Sequence, residues 1–462
     1  MPAAPRLDHF SRFLAERMGL HFAAEQWPDL MRGVGVAAGE LGFPDPEQCI
    51  DHFLSGAPDQ ASFDILASHL TVGETYFFRE PRSFDALAEQ ILPPLIEERR
   101  RTTRLLRIWS AGCCTGEEPY SLAILLDQMI GDLTGWTVTI LGTDINRRFL
   151  ARAESGVFGD WSFRIQRPHL RELYFRRAET PRNSVILPRI RRMVSFAYLN
   201  LAQDHYPSVV SMTNAMDVIF CRNVLMYFTP DTAQKVVAFF HRSLLDNGIL
   251  VTSAVEASGA EFPHFAMIGG GSLPLFRKLP EGMTAKPDEA SADLGEFDSS
   301  AAVRLYEDGY YAETTERIGA ALGHPPTDPA MLVLMARALA NQGQLEAALE
   351  RCREAVELDK VQPAQHYLLA MIQQERGELD EAVSALKRVL FLDRHHALAH
   401  FSLAELERRL GRNQQSRRHY RNALDFLENQ PLDAELPDGD GMNAGRLREI
   451  IRATLAADEA AS

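Results

Sequence analysis

The stretch 105–126, LLRIWSAGCCTGEEPYSLAILL, decides the fold. Leu105–Trp109 is a short apolar run broken only by Arg107, the pattern of a strand buried on both faces. A loop of small residues follows, Ser110 to Gly116. Glu117 and Glu118 then open a segment whose apolar positions, Leu122, Ile124, Leu125 and Leu126, predict a helix. Strand, small-residue loop and helix start form the opening of a doubly wound α/β domain, in which ligands sit at the carboxyl ends of the strands.

The loop discriminates among ligands. It lacks GxxxxGK[ST], which excludes a triphosphate loop, and it lacks a full GxGxxG. Two acids in the first helical turn complement the helix dipole but repel a phosphate. They suit a ligand that carries an ammonium and a sulfonium, as S-adenosylmethionine (AdoMet) does. The plain alternative is that both acids merely start the helix. A second strand, Val138–Leu141, runs into Gly142-Thr143-Asp144-Ile145-Asn146. An acid at its end, some thirty residues after the loop, is placed to accept two ribose hydroxyls. Asp144 could otherwise cap the helix that follows.

Further strands are expected at Val194–Leu201, Asp217–Cys221, Ile249–Ser253 and Leu273–Lys278, about seven in all, with helices between. Between them, 158–193 carries nine arginines against Asp160, Glu172 and Glu179. Trp161, Phe163, Tyr174 and Phe175 lie among them. A small hairpin of Val185–Ile190 with Met193–Ala197 is expected in this basic insert. An acidic protein partner fits it better than nucleic acid, because the 462-residue chain has a net charge of −15. Residues 1–70 read as four short helices, a small domain able to form one wall of a cleft. Between it and the first strand, Thr71–Glu80 (TVGETYFFRE) puts Phe77 and Phe78 beside Arg79. Either the aromatics dock the helical domain, or the segment closes over the cofactor with Arg79 near a carboxylate.

A repeat occupies the carboxyl half. Gly309, Gly343, Gly377 and Gly411 recur every 34 residues, and Ala302, Ala336, Ala370 and Ala404 keep the same step. That is the period of tetratricopeptide (TPR) repeats, which bind a peptide or helix. Five cysteines form no CxxC pair and no metal spacing, so no metal is expected and a reducing cytoplasm fits. No signal peptide and no membrane span are expected. The expected domains are 1–72, helical; 73–278, the doubly wound AdoMet-binding sheet with insert 158–193; 279–294, a linker; 295–430, the repeats; and 431–462, a tail with a helix near Gly445–Leu455.

Together TYFFRE at 75–80, SAGCCTGEEPYS, GTDIN and FCRNVLMYF resemble the chemotaxis receptor glutamate methyltransferase (CheR) family, in its branch with C-terminal TPR repeats. The resemblance spans about 1–278. It implies an α/β doubly wound AdoMet-dependent sheet with an N-terminal all-α domain, a small β insert and an α-helical TPR array. It also implies methyl transfer to glutamate side chains of a chemoreceptor-like protein, with a further protein partner at the repeats. Carried over, Gly73, Thr75 and Arg79 would contact the cofactor, Gly73 standing where the family often has a polar residue. Gly112 would belong to the cofactor loop, and Glu117, with Glu118 the alternative, would hold the methionine amino group. Asp144 would bind ribose, Asn200 and Leu201 would lie along adenine, Cys221 and Arg222 would close the pocket, and Tyr227 would lie near the methyl. Arg222 and Tyr227, with Arg79, are the expected catalytic residues; Arg222 would hold one oxygen of the substrate carboxylate. The competing class is a scaffold of the same fold that recruits partners without turnover. A nucleic-acid or small-molecule methyltransferase is disfavoured because CRNV, not an NPPY-like loop, follows Asp217–Cys221.

Overall fold

The structure is a computed structural model. It describes residues 3–56, 58–164, 168–178, 182–202, 206–259, 262–268, 274–279, 299–307, 309–321, 328–439 and 442–460. The expected linker 279–294, apart from Leu279, lies outside the described residues, as does Arg167 of the insert. Contacts cluster into two units, one of residues 1–204 with 216–279, the other of 205–215 with 280–462.

Ten strands are described in the first unit: β1 Leu105–Ala111, β2 Thr137–Asp144, β3 Val157–Phe158, β4 Phe175–Arg177, β5 Ser184–Ile186, β6 Val194–Tyr198, β7 Met216–Phe220, β8 Leu244–Val251, β9 Phe265–Met267 and β10 Leu275–Lys278. Seven form one sheet in the order β6-β2-β1-β7-β8-β10-β9. β1 pairs in parallel with β2 and β7, with Ile108 facing Ile140 on one side and Val218 on the other. β10 runs antiparallel to β8 and β9. Leu106, Ile108 and Trp109 are fully buried, as the two-sided cover of a parallel sheet requires. The Trp109 indole N–H donates to Thr143 Oγ1 at 2.9 Å, so the largest buried ring in β1 leaves no donor unmet.

From β1 the chain winds outward through β2 to β6, then returns to β7 on β1's other side. The direction reverses between β1 and β7, and their carboxyl ends border the crevice where doubly wound sheets bind ligands. The insert differs from its expected hairpin. β3, β5 and β4 form a separate antiparallel sheet, Pro188–Arg191 is a helical turn, and Val194 onward pairs with β2. Apolar positions 194 and 196 serve the larger sheet, leaving Phe175–Arg177 as the partner of Ser184–Ile186.

The helices Ala3–Met18, Trp27–Leu41, Pro46–Ser55 and Gln60–Leu70 make the amino-terminal layer. Phe10, Leu14, Leu30, Val34, Phe53 and Leu66 form its core. Asp45 and Asp59 accept the backbone N–H groups of Gln48 and Ser62, capping the last two helices. The Pro93-Pro94 pair sits where a continuous helical run, Pro81–Arg101, leaves the π-helical stretch Leu87–Ile91, a bulge in which the Leu92 N–H reaches back to Leu87 O.

The second unit stacks helix pairs Ser299–Glu307/Tyr311–Ala321, Pro329–Asn341/Leu345–Leu358, Pro363–Glu375/Leu379–Leu392 and Ala397–Arg409/Asn413–Leu427. Ala302, Ala336, Ala370 and Ala404 are fully buried, where a larger side chain would separate the helices. Gly309, Gly343, Gly377 and Gly411 all turn at φ between +72 and +85°, a region glycine enters without strain. The final helix, Ala444–Ala460, buries Leu447 and Ile451 and packs against Asn413–Leu427. Tyr206–Ala215, the connection from β6 to β7, also belongs to this unit, an exception to the span 73–278. The Asn214 side-chain amide donates to Ala340 O at 3.2 Å and to Glu375 at 3.3 Å, and Gln374 donates to Met212 Sδ.

Candidate functional site

The loop after β1 coils against the end of β2. Gly112 and Cys113 N–H groups both donate to Thr143 O at 2.8 Å. Gly112 sits at φ +79°, and a Cβ there would lie 2.3 Å from Val224 Cγ2. Glycine is thus required twice over, by conformation and by space. Asp144 closes the arrangement: Oδ2 accepts from Cys114 N–H and Oδ1 from Asn146 N–H, each at 2.8 Å. The cap of the following helix is Asn146, not Asp144. Burial raises the Asp144 carboxyl to about 6, against the pull of the backbone donors. Each oxygen keeps a lone pair for a hydroxyl.

These groups border a cavity of about 340 Å³. Gly112, Asp144, Asn200 and Leu201 line it, as do Thr75, Arg79, Arg222 and Tyr227. The amino-terminal layer supplies Met18, Leu20 and Leu70, so it is one wall of the cleft. Asn200 is tied to that wall through its amide, which donates to Arg17 O at 2.8 Å.

Three of the residues expected to contact the cofactor do not line the cavity. Glu117 does not line the cavity: it accepts from Thr115 Oγ1 at 2.6 Å and Ser162 Oγ at 2.8 Å and is 2% exposed. Glu118 lines it instead, because successive helical residues point about 100° apart. Gly73 is not a lining residue; a Cβ there would meet Phe149 Cζ at 2.9 Å, and it is Phe149 that faces the cavity. Cys221 is fully buried behind the lining, and burial pushes its thiol well above the usual range.

Arg222, expected to hold a substrate oxygen, lines the cavity but already has partners within the protein. Its side chain is 1% exposed and ion-paired to Glu118 at 3.3 Å and Glu80 at 3.0 Å, and it donates to Arg79 O at 2.8 Å. Its charge is balanced by these two acids, while its Nε is buried without a hydrogen-bond partner. Glu118 in turn accepts from Ser110 Oγ at 2.8 Å; burial raises its carboxyl while Arg222 opposes the rise. Arg79, by contrast, donates to Glu74 O and forms no ion pair among the described residues. Burial raises the Tyr227 phenol, Arg79 opposing, so it stays a hydroxyl at neutral pH.

The backbone around Arg79 is bent sharply. Phe78 and Glu80 stand at φ +56° and +55°, where non-glycine residues are uncommon. Phe77 holds the bend by packing on Phe158, Phe163 and Phe175, and Phe78 by packing on Phe84. The aromatic pair therefore docks the sheet and its insert, not the helical layer.

The cavity fits AdoMet in its donors and acceptors. Asp144 offers two carboxylate oxygens for ribose, Glu118 is a carboxylate for the amino group, and Phe149 and Leu201 are apolar surfaces for the base. Sequence reasoning missed Phe149, Val224 and Met226, which also line the cavity, and Glu256, which fixes the loop after β7. The last was signalled by Ser253-x-x-Glu256, the spacing of a capping box.

A model of the CheR methyltransferase SAM-binding domain matches residues 73–269, and a tetratricopeptide repeat model matches 305–372. A probable chemotaxis protein methyltransferase of Rhizobium etli is 32% identical over 224 residues, 48% of this chain and 80% of that protein. Chemotaxis protein methyltransferase 1 of Pseudomonas aeruginosa is 33% identical over 210 residues, 44% of this chain and 73% of that protein. The probable biofilm formation methyltransferase WspC of the same species is 30% identical over 289 residues, 62% of this chain and 65% of that protein. The chain belongs to the CheR family of chemotaxis methyltransferases, with S-adenosylmethionine as methyl donor and tetratricopeptide repeats in its carboxyl half.

Proposed function

We propose that the chain methylates glutamate side chains of a chemoreceptor-like signalling protein, on the cytoplasmic side, and that its repeats recruit a further protein. The bound donor supplies an electrophilic methyl on a sulfonium sulfur. A glutamate side chain is already ionised at neutral pH, so it needs no base to attack. It needs alignment and a dry cleft. Arg79 holds one carboxylate oxygen, which leaves the other to attack. The Tyr227 hydroxyl donates a hydrogen bond beside it, and Met18, Leu20 and Leu70 keep water out. Asp144 accepts the ribose hydroxyls, Glu118 the amino group, while Thr75, Asn200 and Leu201 line the remainder. Arg222 pairs with Glu118 and favours its charged form against the effect of burial.

The observation that carries this reading is the guanidinium of Arg79 beside Tyr227, in a cavity whose own acids are held by protein donors. The test is transfer of labelled methyl to a panel of chemoreceptor cytoplasmic fragments, scored as base-labile label. Base-labile label on a fragment supports the assignment. Binding of S-adenosylhomocysteine with no label on any fragment leaves a scaffold, and the glutamate assignment then falls. In the same assay Arg79→Ala should lower turnover about a hundredfold, as loss of a preorganised charge contact does.

A further inference from the structure

Glu256 is buried at 2% exposure on the short helix Ala254–Gly259. Its carboxylate accepts five hydrogen bonds. Two come from Ser253, through N–H at 2.8 Å and Oγ at 2.5 Å, the local half of a capping box. The other three come from backbone N–H groups 31 to 33 residues earlier: Asn223 at 2.9 Å, Val224 at 2.6 Å and Leu225 at 2.7 Å. A helix cap has no need of those three. Asn223 stands at φ +61°, and the consecutive N–H groups converge on one point, a nest for an anion. Here the anion is a side chain of the chain itself. Among the described residues Glu256 has no ion-pair partner, and its carboxylate oxygens are met by Ser253 and these three backbone groups.

The fastened loop carries groups of the cavity on both sides. Arg222, which pairs with Glu118, precedes the nest directly. Tyr227 follows it, held in the turn Leu225–Tyr227 by its N–H on Val224 O at 3.1 Å. Val224 is also the residue against which Gly112 is fitted. One carboxylate thereby sets the height of the loop over the cofactor turn.

We propose that Glu256 is a positioning residue for methyl transfer, holding the Asn223–Leu225 backbone so that Arg222 and Tyr227 stand at the cavity. The inference rests on the methyltransferase reading. Glu256→Gln keeps the shape but turns an amide N–H₂ toward backbone donors. Ser253→Ala weakens the helix cap and leaves the three loop contacts. Glu256→Asp keeps the charge on a shorter arm.

The experiment uses the full chain and measures S-adenosylhomocysteine affinity by calorimetry, thermal unfolding, and the rate of methyl transfer to a chemoreceptor fragment. Glu256→Gln should weaken the ligand about tenfold, the effect of a buried acceptor lost to several donors. It should slow transfer further than it weakens binding. Ser253→Ala, an ordinary cap loss, should stay within about threefold on both measures. Glu256→Asp should recover part of the rate. Equal effects of Glu256→Gln and Ser253→Ala on affinity, or no effect of the former, would overturn the proposal. Affinity needs no methyl acceptor, so failure of every receptor fragment to accept methyl would sink the glutamate assignment while Glu256 is still judged by binding.

Discussion

Arg222 and Glu118 form an ion pair across the mouth of β1 and β7, Nη1 to Oε2 at 3.3 Å, with the arginine side chain 1% exposed. Arg222, expected at both substrate and cofactor, and Glu118, the alternative to Glu117 at the cofactor, are therefore one electrostatic element. Breaking one side leaves a buried carboxylate without its cation. Arg222→Met should destabilise the fold by about 3 kcal/mol, read as a shift of the urea midpoint. Glu118→Gln added to Arg222→Met should recover part of that loss. Additive losses would show that the pair is not coupled.

Asp144 predicts a pH dependence. Its carboxyl is raised by burial to about 6, above its ordinary value of 3.8. A carboxyl raised in the folded chain binds its proton more tightly there than in the unfolded chain. Its contribution to stability is thus full below about 4 and is lost as pH rises towards about 6. Ligand binding has the opposite sign, because ribose hydroxyls donate to the ionised form. S-adenosylhomocysteine affinity should fall as pH drops below about 6, with Asp144→Asn flattening that limb of the calorimetric profile. An unchanged profile in Asp144→Asn would remove Asp144 from the binding site.

Gly112→Ala should damage cofactor binding through space and conformation together. The added Cβ meets Val224 Cγ2 at 2.3 Å, and φ is +79°. The left-handed backbone alone costs an alanine about 1 kcal/mol. Gly112→Ala with Val224→Ala should restore part of the lost S-adenosylhomocysteine affinity, since only the steric half is relieved. Full restoration would show that conformation contributes nothing.

In the repeats, Ala370 is fully buried between paired helices. Ala370→Leu should lower stability by about 2 kcal/mol through overpacking. Ser384→Leu, at an exposed position of the next helix, should stay within about 0.5 kcal/mol. Chemical denaturation followed by circular dichroism measures both.

Much of this was legible in the chain. β1, its small-residue loop and the acid ending β2 are local patterns, and the 34-residue step fixes the repeats by arithmetic alone. The losses came from contacts that sequence distance conceals. Glu117 and Glu118 are neighbours, and only the helical rotation after Gly116 decides which one faces the cavity. Arg222 looked available because Glu118 and Glu80 lie 104 and 142 positions away. Phe175–Arg177 was not recognised as a strand because its pairing with Ser184–Ile186 spans a connection that no periodicity marks. Glu256 carries only a capping-box spacing in the sequence, because its three extra donors are backbone groups that leave no side-chain signature.

Tyr206–Ala215 lies in the methyltransferase half by sequence yet folds among the repeats, where Asn214 is fully buried. Ending the polypeptide at Leu279 would strip Ala340 and Glu375 from that amide and Gln374 from Met212. A minimal catalytic fragment cut there inherits a plug without its socket, and its solubility should depend on co-expressing the missing half in trans.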